Sequence, residues 1–124
     1  MVGRMAMPGA YDRSRKSAVV RSISSNYSNA LSSYFGTKTP SYEAAVGSHA
    51  AYVTALRAHG TEVTVLPELT EFPDSCFVED TAVMIDGKVI IPNMGHPSRE
   101  GEQKAVLEHM SNFADIIQMP KGAT

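Results

Sequence analysis

The 124-residue sequence contains no tryptophan, so one common large anchor for a core or an interface is missing. A single cysteine, Cys76, excludes an internal disulfide framework and fits a reducing cytoplasm. Charge of one sign is also lacking. Eleven Lys and Arg against thirteen Asp and Glu leave a net charge of -2, which gives no electrostatic case for nucleic acid or an acidic membrane as partner. No apolar run approaches the ~20 residues needed to span a bilayer. The four histidines, His49, His59, His96 and His109, have no close ligand spacing, and there is no second cysteine to join them, so no metal site is expected. A phosphate-cradling glycine loop and a Gly-x-Ser-x-Gly elbow are both absent, and no cofactor is expected.

What is present fits a globular chain. Hydrophobic residues make up 43% and charged residues 19%, which argues against disorder. The length allows one domain, or part of one. Residues 1–17 carry Arg4, Arg13, Arg15 and Lys16 with no apolar core behind them, so they do not read as a secretory signal. They are expected to be a flexible basic tail or the result of an early start codon. An Arg-bearing transit peptide is the alternative. Ordered structure is expected over 18–124.

Residues 18–23, Ala-Val-Val-Arg-Ser-Ile, form a β-branched strand candidate. Residues 24–39 read as a long loop of the kind that is usually functional or mobile. Thr39-Pro40 marks a helix start, with Tyr42, Ala45, Val46, His49, Val53 and Leu56 at helical spacing and Gly60 suited to the left-handed position beyond its end. A strand follows over 62–66. After an acidic loop, residues 81–85 and 88–91 are apolar runs joined by Asp86-Gly87, a strong hairpin signal. Ser98 can cap a second helix with an inward stripe of Val106, Leu107, Met110 and Phe113. Residues 116–119 form the last strand. Val63-Thr64-Val65-Leu66-Pro67 and Ile116-Ile117-Gln118-Met119-Pro120 each follow a helix, so the chain repeats a supersecondary unit weakly.

Chemistry concentrates in two segments. Phe72-Pro73-Asp74-Ser75-Cys76-Phe77-Val78-Glu79-Asp80 places three carboxylates at a loop-to-strand junction. Such carboxylates are costly to desolvate without a cationic partner, and a guanidinium fork matches them bidentately. A solvated acidic turn, with Glu79 pairing a surface lysine, is the plainer alternative. The second segment is Gly95-His96-Pro97-Ser98-Arg99-Glu100-Gly101-Glu102. Arg99 at a helix start would meet the positive end of the helix dipole, a cost that a bound anion would offset. An exposed Arg99 paired with Glu100 or Glu102 explains the pattern equally. Nothing close in sequence activates Cys76, which is expected to be a small, half-buried strand residue.

These segments resemble the dimethylarginine dimethylaminohydrolase family, which has a Pro-Asp…Phe-Val-Glu-Asp signature followed by a Ser-Arg-Arg-Gly-Glu-like helix start. The likeness extends back through the helix bearing Tyr42 and Tyr52. It implies an α/β fold: part of a pentein-like α/β propeller, about two ββαβ-type modules. It implies a substrate site in which Asp74 holds the α-amino group, Asp80 the guanidinium with Glu79 beside it, and Arg99 the α-carboxylate. Leu31 would contribute through its backbone. The implied reaction hydrolyses methylated arginine to citrulline and methylamine through a cysteine thiolate and a histidine. The family's catalytic histidine and cysteine, and a second guanidinium-binding glutamate, have no counterpart in this sequence, so no catalytic residue is assigned. Glu100 stands where the family has a second Arg, and Asn93-Met94 where it has Arg-Pro.

The expectation is therefore the N-terminal, substrate-binding part of a guanidine hydrolase, inactive alone, that binds a small guanidinium amino acid and self-associates through open propeller flanks. The alternatives are a non-catalytic binding or assembly module for cationic amino acids, and part of an arginine deiminase relative.

Overall fold

The computed structural model describes residues 17–31 and 39–123. The expected tail, apart from Ser17, lies outside the described residues. Among the described residues, five strands and two α-helices run in the order β1 (Ser17–Arg21), α1 (Tyr42–Ala58), β2 (Glu62–Leu66), β3 (Val83–Ile85), β4 (Lys88–Ile91), α2 (Glu102–Met110) and β5 (Asp115–Gln118).

The strands form two small sheets. In one, β1 and β2 pair in parallel, with Val19 opposite Thr64, and α1 makes the crossover such a pair requires. In the other, β3 and β4 form an antiparallel hairpin and β5 joins β4 in parallel, with α2 as the crossover. The expected order of β, β, α, β is present in this second unit.

Local chemistry explains the boundaries. Asp86 (φ 48°) and Gly87 (φ 74°) both take positive φ, the requirement of the tight hairpin turn that their dipeptide suggests. Helix α1 ends before Gly60 at φ 86°, as expected. Its cap, however, is Ser41 and not Thr39. The Ser41 hydroxyl accepts the Ala44 N–H at 3.2 Å, leaving Pro40 outside the helix. Helix α2 also starts later than expected. The ring of His96 accepts the Ser98 N–H and bonds its hydroxyl, which holds Ser98 in a 3₁₀ turn over Pro97–Arg99. Gly101 takes the cap position at φ 113°, where an added Cβ would lie 3.1 Å from the Phe72 ring. Thr81 likewise does not open β3. Its hydroxyl bonds the Val78 carbonyl and closes a 3₁₀ turn over Val78–Asp80, so the strand begins at Val83. At the other end of the chain, β1 stops at Arg21, and Ile23 is buried beyond it.

The main core sits between α2 and β4. Val89 and Ile91 on one face of β4 meet Val106 and Met110, with Val19, Val78 and Ile116 packed around them. Phe113, expected on the inward stripe, is two-thirds exposed, because the helix ends at Met110 and the chain turns away. The outer strands are poorly covered. Val83, Met84 and Ile85 of β3 and Ile117 of β5 are all exposed. No helix among the described residues is long and apolar enough to cross a membrane.

Candidate substrate-binding site

The loop between β2 and β3 is a succession of tight turns. Ser75 N–H donates to Phe72, Phe77 to Asp74, Asp80 to Phe77 and Thr81 to Val78, each through backbone carbonyls. This winding gives the acidic residues of 72–80 fixed and different surroundings.

Asp74 points inward and is buried. Its two carboxylate oxygens accept the backbone N–H of Leu31 at 3.2 and 3.1 Å. Leu31 and Asp74, 43 positions apart, are thus brought together, with the Leu31 side chain exposed. The segment leading to Leu31 is pinned along its length. Ser22 N–H donates to Leu66, and the Ser24 hydroxyl to the Thr70 carbonyl. Ser25 N–H reaches a Glu68 carboxylate oxygen.

Asp80 and Arg99 also meet, at 2.7 Å between Oδ2 and Nη1. Asp80 keeps 55% of its side chain exposed, whereas Arg99 keeps 12%. Arg99 is held from the other side by Glu102, whose side chain is fully buried. Nε contacts both Glu102 oxygens at 3.2 and 3.1 Å, and Nη2 contacts Oε2 at 2.8 Å. Nη2 also donates to the carbonyls of Asp74 and Phe77. Burial pulls the Arg99 guanidinium down, but its bonds to Glu102 and Asp80 outweigh this and hold it above its ordinary range.

Two sequence expectations change here. Arg99 does not occupy the first helical turn; it precedes α2, and Glu102 takes the first helical position, where a negative charge is favoured by the helix dipole. The Arg99–Glu102 pair is real but buried, not a surface pair.

Glu79 faces elsewhere. It lines a cleft of about 590 Å³ between the two units, together with His49, Tyr52, Cys76, Met84 and Met110. Neither Asp74, Asp80 nor Arg99 borders that cleft, so the cleft and the charge cluster are separate features. Cys76 lies half-buried in a turn rather than in a strand. Burial, then the charge of Asp74, push its thiol up to about 11, so it is not a thiolate at neutral pH. Among the described residues, no group of His, Cys, Asp or Glu could hold a metal ion.

Arg21 is the functional-looking residue that sequence reasoning passed over. It is 3% exposed at the end of β1, and its Nη1 donates to the Pro67 carbonyl at 2.8 Å. Burial lowers its pKa, and the charge of Glu102 partly restores it. Its Nη2 has no partner among the described residues. The available signal was a lone cation embedded in the apolar run Val19-Val20-Arg21-Ser22-Ile23.

The arrangement can bind charge of both signs. Asp80 offers a partly exposed carboxylate for a cation. Arg99 has five N–H donors; one on Nη1 has no partner among the described residues.

The mixed α/β fold that carries this carboxylate–guanidinium cluster is similar to part of the dimethylarginine dimethylaminohydrolase fold. A mutant of DDAH from Pseudomonas aeruginosa complexed with citrulline superposes with a TM-score of 0.81 and 30% identity, covering 87% of this chain and 43% of that one. The chain belongs to the N,N-dimethylarginine dimethylhydrolase family: the eukaryotic family model matches residues 21–119. The N(G),N(G)-dimethylarginine dimethylaminohydrolase of Pseudomonas aeruginosa is 38% identical over 74 residues, 60% of this chain and 29% of that protein. That of Streptomyces coelicolor is 33% identical over 98 residues, 79% of this chain and 38% of that protein. The chain thus spans less than half the length of these relatives.

Proposed function

We propose that this chain forms the N-terminal, substrate-gripping portion of a dimethylargininase-like hydrolase, and that the 124-residue chain alone does not turn over methylarginine. The observation that carries the reading is the convergence, within a family member, of Leu31 on Asp74 and of Asp80 on Arg99. In this reading Asp74 takes the α-amino group of a guanidinium amino acid, Asp80 its guanidinium, with Glu79 beside it in the chain, and Arg99 its carboxylate. Citrulline, bound by the mutant Pseudomonas relative, is the neutral ureido counterpart of such an amino acid and carries the same α-amino and α-carboxylate groups. The sole cysteine supports inactivity of the isolated chain, because its thiol is pushed up to about 11. The two units are read as modules of an α/β propeller over 18–124. Their uncovered strand residues Val83, Met84 and Ile85 favour self-association.

The test is a citrulline-release assay on purified chain with methylarginine, and calorimetry with L-arginine. No turnover is expected. Turnover abolished by Cys76→Ser would overturn the inactive-alone reading. Binding weakened by Asp80→Ala by about 1–3 kcal/mol supports the site, as for charge-assisted hydrogen bonds. Tight binding indifferent to Asp80→Ala and Arg99→Ala would sink it.

A further inference from the structure

Glu102 is fully buried, and a carboxylate in that state persists only with strong compensation. Among the described residues, the hydrogen bonds to its carboxylate come from one guanidinium. Arg99 gives Glu102 its Nε–H and an Nη2–H, and the α2 N-terminus and the charge of Arg21 add to it.

The consequence for Arg99 is directional. With Nε on Glu102 and Nη2 shared among Glu102 and the carbonyls of Asp74 and Phe77, the guanidinium cannot rotate in its plane. One edge remains for a ligand, the Nη1 edge. That is the edge already turned toward Asp80 at 2.7 Å. Without Glu102, Nε and Nη2 would lose their anionic partner. Asp80, being more exposed, could then draw the whole fork outward.

We infer that Glu102 is a positioning residue: it fixes Arg99 so that its Nη1 edge faces Asp80, and thereby makes the site select guanidines that also carry an α-carboxylate. The selectivity rests on the reading of Arg99 given above; the positioning of Arg99 does not. Glu102 itself touches no ligand.

The experiment uses the full chain, wild type and Glu102→Gln, which keeps the side chain's shape and removes its charge. Affinities for L-arginine and for agmatine, the same guanidine without the carboxylate, are measured by calorimetry. Exchange of the arginine Nε–H protons is followed by NMR. Wild type should prefer L-arginine by roughly tenfold or more, as expected for a charge-assisted contact. Glu102→Gln should bring that ratio close to one. The Arg99 Nε–H should exchange slowly in wild type and, in the variant, as fast as that of exposed Arg57. A variant that keeps both the preference and the slow exchange overturns the inference. If wild type binds the two compounds equally, or neither, the carboxylate reading of Arg99 and the selectivity built on it fail. Loss of slow exchange in the variant then still supports positioning, and its retention overturns it. If Glu102→Gln does not fold, the wild-type exchange decides: slow supports positioning, and a rate like that of Arg57 overturns it.

Discussion

The two crossover helices are built unequally. Helix α1 has 17 residues and buries one side chain, Val53; α2 has nine and buries three, Glu102, Val106 and Met110. Helix α1 is supported mainly from within: a Ser41 cap, an alanine-rich sequence and a glycine just past its end. Helix α2 depends on what it touches, with Val106 and Met110 on Val89 and Ile91, and Glu102 on Arg99. Length therefore says little about which helix holds the site. The short helix carries the charge cluster because its first residue is both a helix start and the buried partner of Arg99.

The largest expected effect comes from breaking the second unit at its charge. Arg99→Ala leaves Glu102 buried without its principal partner and should cost about 3–5 kcal/mol, measured by urea unfolding. Amide exchange should locate the loss in α2 and the 72–80 loop, with α1 much less affected. A loss below ~1 kcal/mol would mean that the pair behaves as a solvated surface contact, and the contrast between the helices would lose its electrostatic half.

A smaller effect tests the apolar half. Val89 is completely buried in the second unit, and Val53 is nearly buried in a helix that packs little else. Val89→Ala should cost about 2 kcal/mol from lost burial plus the cavity left behind. Val53→Ala should cost roughly half as much, because its thinner surroundings can close in. Equal losses in thermal or urea unfolding would show that the first unit is as firmly cored as the second.

This asymmetry also explains what could be read in the sequence. Periodicity and turn chemistry located α1, β2, β4 and the Asp86-Gly87 turn well, because they are set by local propensity. The α2 start was missed because Ser98 has the right chemistry for a cap but spends it on His96, a competition that residue type alone does not reveal. The candidate site was legible as a set of charged residues in two segments. Their partners were not. That Asp74 would accept the Leu31 N–H, or that Arg99 would be gripped from behind by Glu102, depends on long-range folding. Arg21 was overlooked because strand propensity hides a buried cation among β-branched neighbours.

The smallest effect sharpens the comparison at the helix starts. Ser41 and Ser98 look alike in sequence: each stands just before a helical pattern and beside a proline, Pro40 or Pro97. Only Ser41 caps. Its hydroxyl satisfies the Ala44 N–H, an otherwise orphaned donor of the first turn of α1. Ser98 bonds the His96 ring in an exposed turn, and the cap of α2 falls to Gly101. Ser41→Ala should therefore cost about 1 kcal/mol, the usual worth of a cap. Ser98→Ala should stay within about 0.5 kcal/mol, as for surface substitutions away from such features. Because α1 leans on local support more than on packing, the Ser41→Ala loss should appear first as fraying of α1 amides in hydrogen exchange, before any shift in global unfolding. A larger loss at Ser98 than at Ser41 would place the α2 cap at Ser98 and move Arg99 back into the helix, where its hold on Glu102 would need a different geometry.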